Sequence, residues 1–364
     1  MTTRLARLAA GCVAALSVTF GVAAPAEADG FRDRQWHLSF LHVDQAQRYS
    51  EGDGVVVGVV DTGVQADHPD LVGSVLPGAD VSDPAGDGHT DRVGHGTGIA
   101  GLIAGHGHGA NDGVLGIAPR AKILPVAVVG ITPGHNEIAL GIKWAVEHGA
   151  RVICLAVGDV TNDDAELRSA VKSAFDHDVV MVAAVGNKPD VSDVVFPARY
   201  QGVIAAAGVD RNGDHAPFSV TGPAVVLSAP AADIETTNAG NGYAIGTGTS
   251  AATAIIAGTA ALVRARFPNL SAKEVVHRLT ATAIDKGPPG RDDQYGYGIV
   301  NLVGALTADV PPLQPSASPP PTASAHAAPP HRTNAALPLT AVAVLALLAA
   351  GGVLLLRRRA AADG

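Results

Sequence analysis

The sequence predicts a doubly wound α/β domain, with a mainly parallel sheet and helices on both faces, followed by one transmembrane helix near the C-terminus. Three observations carry this. Short valine-rich runs alternate with longer segments of helical period. The runs are apolar at successive positions rather than at every second one, which suits strands covered on both sides. Beyond residue 308 the composition changes to a proline-rich stretch and then to an unbroken apolar segment.

The chain has 364 residues, enough for one large domain or two modest ones. It is 47 % apolar, holds 43 glycines and is only 4 % aromatic. A formal charge of −9 argues against a non-specific nucleic-acid binder. The 14 histidines form no HExxH spacing, and two cysteines make no zinc pattern. No metal and no cofactor are therefore expected, and no internal repeat is visible.

Residues 1–28 read as a secretory signal. Arg4 and Arg7 give the charged start, Leu8 to Ala24 the apolar stretch, and Ala26-Glu27-Ala28 an A-x-A cleavage site. The domain then covers 29–308. Its first part, up to Gly54, is too short for a core of its own and is expected to wrap the domain through Trp36 and Phe40.

Strands are expected at 54–60 (GVVVGVV), 122–129 (KILPVAVV), 151–157 (RVICLAV), 178–185 (DVVMVAAV) and 202–209 (GVIAAAGV). Cys154 in the third run is expected to be a buried thiol. Helices are expected at 136–149, ending at a glycine, and at 162–178, opening on capping and acidic residues. Two more follow at 250–267 and at 271–283, the latter with the capping box Ser271…Glu274.

Residues 309–336 form a Pro/Ala/Ser-rich linker that cannot build a core. The apolar segment 337–356 is long enough, at ~1.5 Å per residue, to cross one hydrocarbon layer. Arg357, Arg358 and Arg359 open a tail, 357–364, placed in the cytoplasm by the positive-inside rule. The domain is then extracytoplasmic on a single-pass anchor. Leu337 to Ala341, LPLTA, also matches a sortase signal, which would attach the protein to the cell wall.

Four short pieces at strand ends or helix starts carry chemistry. Asp61 ends the first strand in VVDTGV. A second DTG or DSG, which an aspartic protease needs for its shared proton, is absent. His95 stands between Gly94 and Gly96 in VGHGTGIAG, where the glycines allow a neighbouring chain to come close. Asn187 follows a strand in VAAVGNKPD and reads as a turn residue or as an amide donor. Ser250 opens an Ala-rich helix in GTGTSAATAIIAG, as a capping residue, a nucleophile or both.

Asp, His, Asn and Ser in that order resemble the subtilisin-like serine proteases. The likeness runs over about residues 36–306 and includes GIAPRAKILPV, FPARYQGVIAAAGVD, FSVTGPAVVLSAP and YGYGIVN. It implies a nucleophilic Ser250, His95 as general base, Asp61 orienting the histidine, and Asn187 as oxyanion donor. Losing such an asparagine costs ~10²–10³ in kcat, a magnitude known from subtilisin. It also implies that Ala156-Val157-Gly158 pairs its backbone with an extended protein or peptide substrate, although the family usually reads S-x-G there.

After the serine the family usually reads G-T-S-x-A-A-P, whereas Thr253 and Ala254 stand here, and the missing proline is expected to loosen that turn. The layout of signal, domain, linker, helix and arginine tail is similar to that of the mycosins, the membrane-anchored subtilases of type VII secretion. That resemblance implies a secretion complex as partner, and an alternative role as a catalytically weak scaffold. Mycosins often carry disulfides; cleavage after Ala28 would remove Cys12 and leave Cys154 without an intramolecular partner. The acidic stretch 161–166 reads as a solvated loop ahead of a calcium site.

Overall fold

The computed structural model describes residues 30–109, 111–128, 134–157 and 161–313. They belong to one unit that ends at Leu313. In chain order the elements begin with α1 (Phe31–Arg34), α2 (Trp36–Phe40), α3 (Val43–Gln47), β1 (Val56–Asp61), β2 (Ala79–Asp80) and α4 (His95–Ala104). Next come β3 (Lys122–Ala127), α5 (His135–Glu147), β4 (Val152–Leu155), α6 (Ala165–Asp176), β5 (Val180–Ala184) and β6 (Ile204–Val209). The last are β7 (Leu227–Pro230), β8 (Ile234–Asn238), β9 (Gly242–Gly246), α7 (Thr249–Arg266), α8 (Ala272–Ala281) and α9 (Leu302–Thr307).

Seven strands form one sheet in the order β2-β3-β1-β4-β5-β6-β7, and every pairing in it is parallel. The five expected strands are all present, each shorter than the run that marks it, and β1 ends one residue later, at Asp61. β8 and β9 form a separate antiparallel hairpin. Its turn passes through Gly240 and Asn241, both at positive φ.

Strand alternation divides the sheet's side chains between two cores. Val57, Val59, Cys154, Val182 and Ile204 pack with α4 and α7 on one face. Val60, Ile153, Leu155 and Met181 pack with α5 and α6 on the other. Gly58 keeps that second face close: a Cβ there would lie 3.1 Å from the Ala145 Cβ on α5. α7 is buried from Ala251 through Arg264 and runs through the first core, so it is apolar all round rather than striped.

The helices start where their capping residues put them. Asp164 accepts from Leu167 N at the start of α6, and Ser271 and Glu274 close the expected capping box on α8. Asp163, in the same acidic stretch as Asp164, meets Arg168 and the Tyr200 hydroxyl instead. Ser250 departs from expectation. The residue before α7 is Gly248, so Ser250 lies inside the first turn and is not a cap. α7 is also unbroken at Thr253 and Ala254, and the Thr253 hydroxyl donates to the Thr249 carbonyl at 2.8 Å. The loosening expected from the missing proline is not seen.

Residues 31–50 do wrap the domain. Trp36 Nε1 donates to the Ala232 carbonyl at 3.1 Å and crosses Phe40 edge-on, while Gln35 exchanges bonds with the Leu115 backbone. Arg34 pairs with Glu235 on β8 at 2.8 Å, and Phe31 stacks on Tyr243 of β9. The wrap thereby holds the hairpin that precedes α7.

Among the described residues no helix is long and apolar enough to cross a membrane. The expected signal, transmembrane segment 337–356, sortase-like LPLTA and arginine tail lie outside the described residues.

Ile255, fully buried in the middle of α7, reports on this core. Ile255→Ala is expected to lower unfolding free energy by about 2–5 kcal/mol, seen as a lower urea midpoint at unchanged slope.

Candidate active site

The sheet reverses its winding at β1, which lies between β3 and β4. Crevices at such points, at the carboxyl ends of the strands, are where α/β folds hold ligands. Asp61 is the last residue of β1, and its side chain is 1 % exposed. Its Oδ1 accepts from Thr62 N at 2.8 Å, and His95 Nδ1 lies 2.7 Å from it. An ionised carboxylate only accepts, so Nδ1 carries a proton and the neutral ring presents its lone pair at Nε2. Asp61 Oδ2 is buried and finds no partner among the described residues.

His95 is the first residue of α4, after Gly94 at φ 92°. A Cβ on Gly94 would lie 1.8 Å from Asn238 Oδ1, and one on Gly96 would lie 2.0 Å from the Gly63 carbonyl oxygen. The flanking glycines thus let β8 and the loop after β1 close on the histidine. β8 adds two bonds of its own. Thr236 Oγ1 donates to the Gly98 carbonyl at 2.6 Å, and Thr237 Oγ1 to that of Thr97 at 2.7 Å.

Ser250 and Asn187 reach the same place from other elements. Both line, with His95, a cavity of about 500 Å³ whose inner wall includes Ile99, Leu102 and Ile234. Asn187 Oδ1 accepts from Thr249 N at 2.9 Å. That bond fixes the amide and leaves Nδ2 as its free donor group, beside Gly248. Ser250 Oγ donates to the Ala156 carbonyl at 2.8 Å. Ala156 and Val157 continue the line of β4 with their side chains buried in opposite cores, so their main chain is what they offer to a neighbour. Gly158 lies outside the described residues. Among the described residues no group of three or more His, Cys, Asp or Glu is placed to hold a metal ion.

Burial by itself would lower the His95 pKa. The charge of Asp61, its hydrogen bond and the charge of Asp91 act the other way and prevail, so the pKa lies above the ordinary imidazole value. Cys154, on β4 opposite Val59 of β1, has its pKa pushed well up by burial and by that same charge.

The model of the Subtilase family matches residues 52–298. The chain belongs to the subtilase family. It is 38 % identical over 271 residues to the thermostable alkaline protease of Halalkalibacterium halodurans, covering 73 % of this chain and 72 % of that protein. It is 34 % identical over 382 residues to Mycosin-1 of Mycobacterium tuberculosis, covering 87 % and 83 %. Among solved structures, MycP1 with its N-terminal propeptide removed aligns with a TM-score of 0.69 at 30 % identity, over 76 % of this chain and 98 % of that one. A chain of an intact ESX-5 inner membrane complex aligns with a TM-score of 0.68 at 30 % identity, over 88 % of each. The chain is a subtilisin-like serine endopeptidase, similar to the mycosins over most of its length.

Sequence reasoning missed two residues of this subtilase site. Asp91 and Thr62 knit the loop after β1 to the first turn of α4. Nothing in the sequence singles out Asp91: its bonds to Val93, Gly94 and Thr97 are those of an ordinary turn aspartate, and its one distant partner, Thr62, is brought to it by the fold. Thr62 stands next to Asp61 in VVDTGV but carries no signal of its own.

A base must be neutral to accept a proton, so activity that uses His95 in this way rises as pH passes its pKa. Because that pKa is raised, the acid limb of kcat/KM on a peptide substrate is expected above ~6.5. A pH–rate profile checks this, and a limb below that value would contradict it.

Proposed function

We propose that Asp61, His95 and Ser250 are the catalytic triad of a membrane-anchored, extracytoplasmic endopeptidase that serves a type VII secretion complex. The carrying observation is the 2.7 Å Asp61–His95 pair on the same cavity as Ser250 and Asn187. In this reading the Ser250 hydroxyl turns from the Ala156 carbonyl and attacks a peptide carbonyl carbon. His95 Nε2 takes the hydroxyl proton and returns it to the leaving amine. Asp61 holds the ring and stabilises the imidazolium. Asn187 Nδ2 and the N–H groups at the start of α7 receive the oxyanion. Water, deprotonated by His95, then releases the acyl group. An extended substrate lies along Ala156, Val157 and Gly158, bound through main-chain atoms.

Three relatives support the secretion role. The likeness to Mycosin-1 covers 87 % of this chain, more than the catalytic span alone. One structural neighbour belongs to an ESX-5 inner membrane complex, and another is MycP3 from the type VII ESX-3 system. The membrane reading rests on residues 337–356 and the arginines after them.

A fluorophosphonate probe is expected to label the protein at Ser250. Ser250→Ala should abolish labelling and lower peptide cleavage by ~10³-fold or more. Its fold should persist, because the hydroxyl makes one bond, to Ala156, and caps nothing. An unlabelled wild-type protein that still supports secretion would instead identify a scaffold. Mass analysis of membrane-extracted protein should find Arg357–Arg359 retained. A terminus at Thr340 joined to wall peptide would establish the sortase route.

A further inference from the structure

Asp91 stands just outside the cavity, on the turn before α4. Its carboxylate collects five donors. Oδ1 accepts from Val93 N at 3.0 Å, Gly94 N at 2.8 Å and the Thr62 hydroxyl at 2.9 Å. Oδ2 accepts from Thr97 N at 2.8 Å and the Thr97 hydroxyl at 2.7 Å. So many donors on one side chain draw the turn carrying His95 onto the end of β1.

The Thr62 hydroxyl is the link that matters. It has one proton and two carboxylates within reach: Asp91 Oδ1 at 2.9 Å and Asp61 Oδ1 at 3.4 Å. The shorter contact takes the proton. The hydroxyl oxygen is then free to accept from Gly96 N at 3.0 Å, in the first turn of α4. Without the Asp91 carboxylate, that proton would turn to the Asp61 oxygen that already serves His95. A second strong donor there would weaken the hold on the imidazole.

We propose that Asp91 is a positioning residue of the catalytic site: by taking the Thr62 proton it reserves Asp61 Oδ1 for His95, and it fixes the turn from which His95 projects. This rests on the triad reading above. The charges around His95 are few. Asp61 faces it from β1 and Asp91 from the turn before α4, while Arg92 on that turn is exposed. Cys154 on β4 is held as the neutral thiol. The cavity residues of α7, β8 and β9 are uncharged. Loss of the Asp91 charge and redirection of the Thr62 hydrogen bond to Asp61 therefore act in the same direction, each making His95 easier to deprotonate.

The test is the pH dependence of kcat and kcat/KM on one peptide, for wild type, Asp91→Asn, Thr62→Val and Thr62→Ser. Fluorophosphonate labelling counts the working sites in each. Asp91→Asn is expected to lower kcat about tenfold with KM nearly unchanged, part of the ~10²-fold or more that a positioned base supplies. Its acid limb should move to lower pH, which a loss of folded protein alone would not produce. Thr62→Val keeps every charge and has no hydroxyl to misdirect, so its acid limb should stay in place, while loss of the acceptor for Gly96 N should lower kcat at unchanged KM through the turn; Thr62→Ser, which keeps the hydroxyl, should lose less. A labelled Asp91→Asn protein with an unmoved acid limb overturns the proposal. Should Asp91→Asn fail to fold, wild-type kcat in Thr62→Val overturns it instead. Absence of labelling at Ser250 in wild type is a separate result: it removes the triad reading, and this inference with it.

Discussion

The Asp61–His95 hydrogen bond is the interaction on which the rest of the site depends. A carboxylate with 1 % side-chain exposure has lost its water, a loss worth several kcal/mol unless protein groups replace it. Thr62 N and His95 Nδ1 are the replacements at Oδ1, and Oδ2 has none among the described residues. An under-served carboxylate of this kind holds its remaining partner hard. It fixes the ring's tautomer, raises its basicity and ties α4 to the end of β1. The two threonines of β8 and the glycines beside His95 then hold α4 in place from the other side.

The parts of the fold legible in the sequence are those in which one segment decides its own environment. β1 and β4 to β6 are buried on both faces, so their apolar runs stood out. Ser271 and Glu274 announced their helix because a capping box is local. The β8–β9 hairpin was not read, although Gly240-Asn241 directly before GYAIG is a hairpin signal. Both strands are short, and β8, IETTN, is polar because its two threonines bond α4. β7 was equally obscure: four residues at the sheet's edge give too little pattern.

At the candidate site the sequence marked Asp61, His95, Asn187 and Ser250, where small motifs surround single reactive groups, and the structure brings them to one place. What the residues do to one another was less so. Ser250 looked like a helix cap, yet Gly248 precedes the helix and the serine hydroxyl meets Ala156 instead. Thr253 looked like a weak substitute for a rigid turn, yet its hydroxyl bonds back along α7 and the helix continues. Both outcomes depend on where a hydroxyl finds its acceptor, which residue type alone leaves undecided.

Cys154 has a chemical consequence of its own. It is fully buried among the residues under α7, and burial and the nearby Asp61 charge both keep the sulfur protonated. Disulfide exchange and oxidation to sulfenic acid both proceed through an accessible thiolate. Cys154 has neither the access nor the charge for these reactions. Were the domain to work in an oxidising compartment, this buried thiol would stay reduced and form no mixed disulfides with its neighbours.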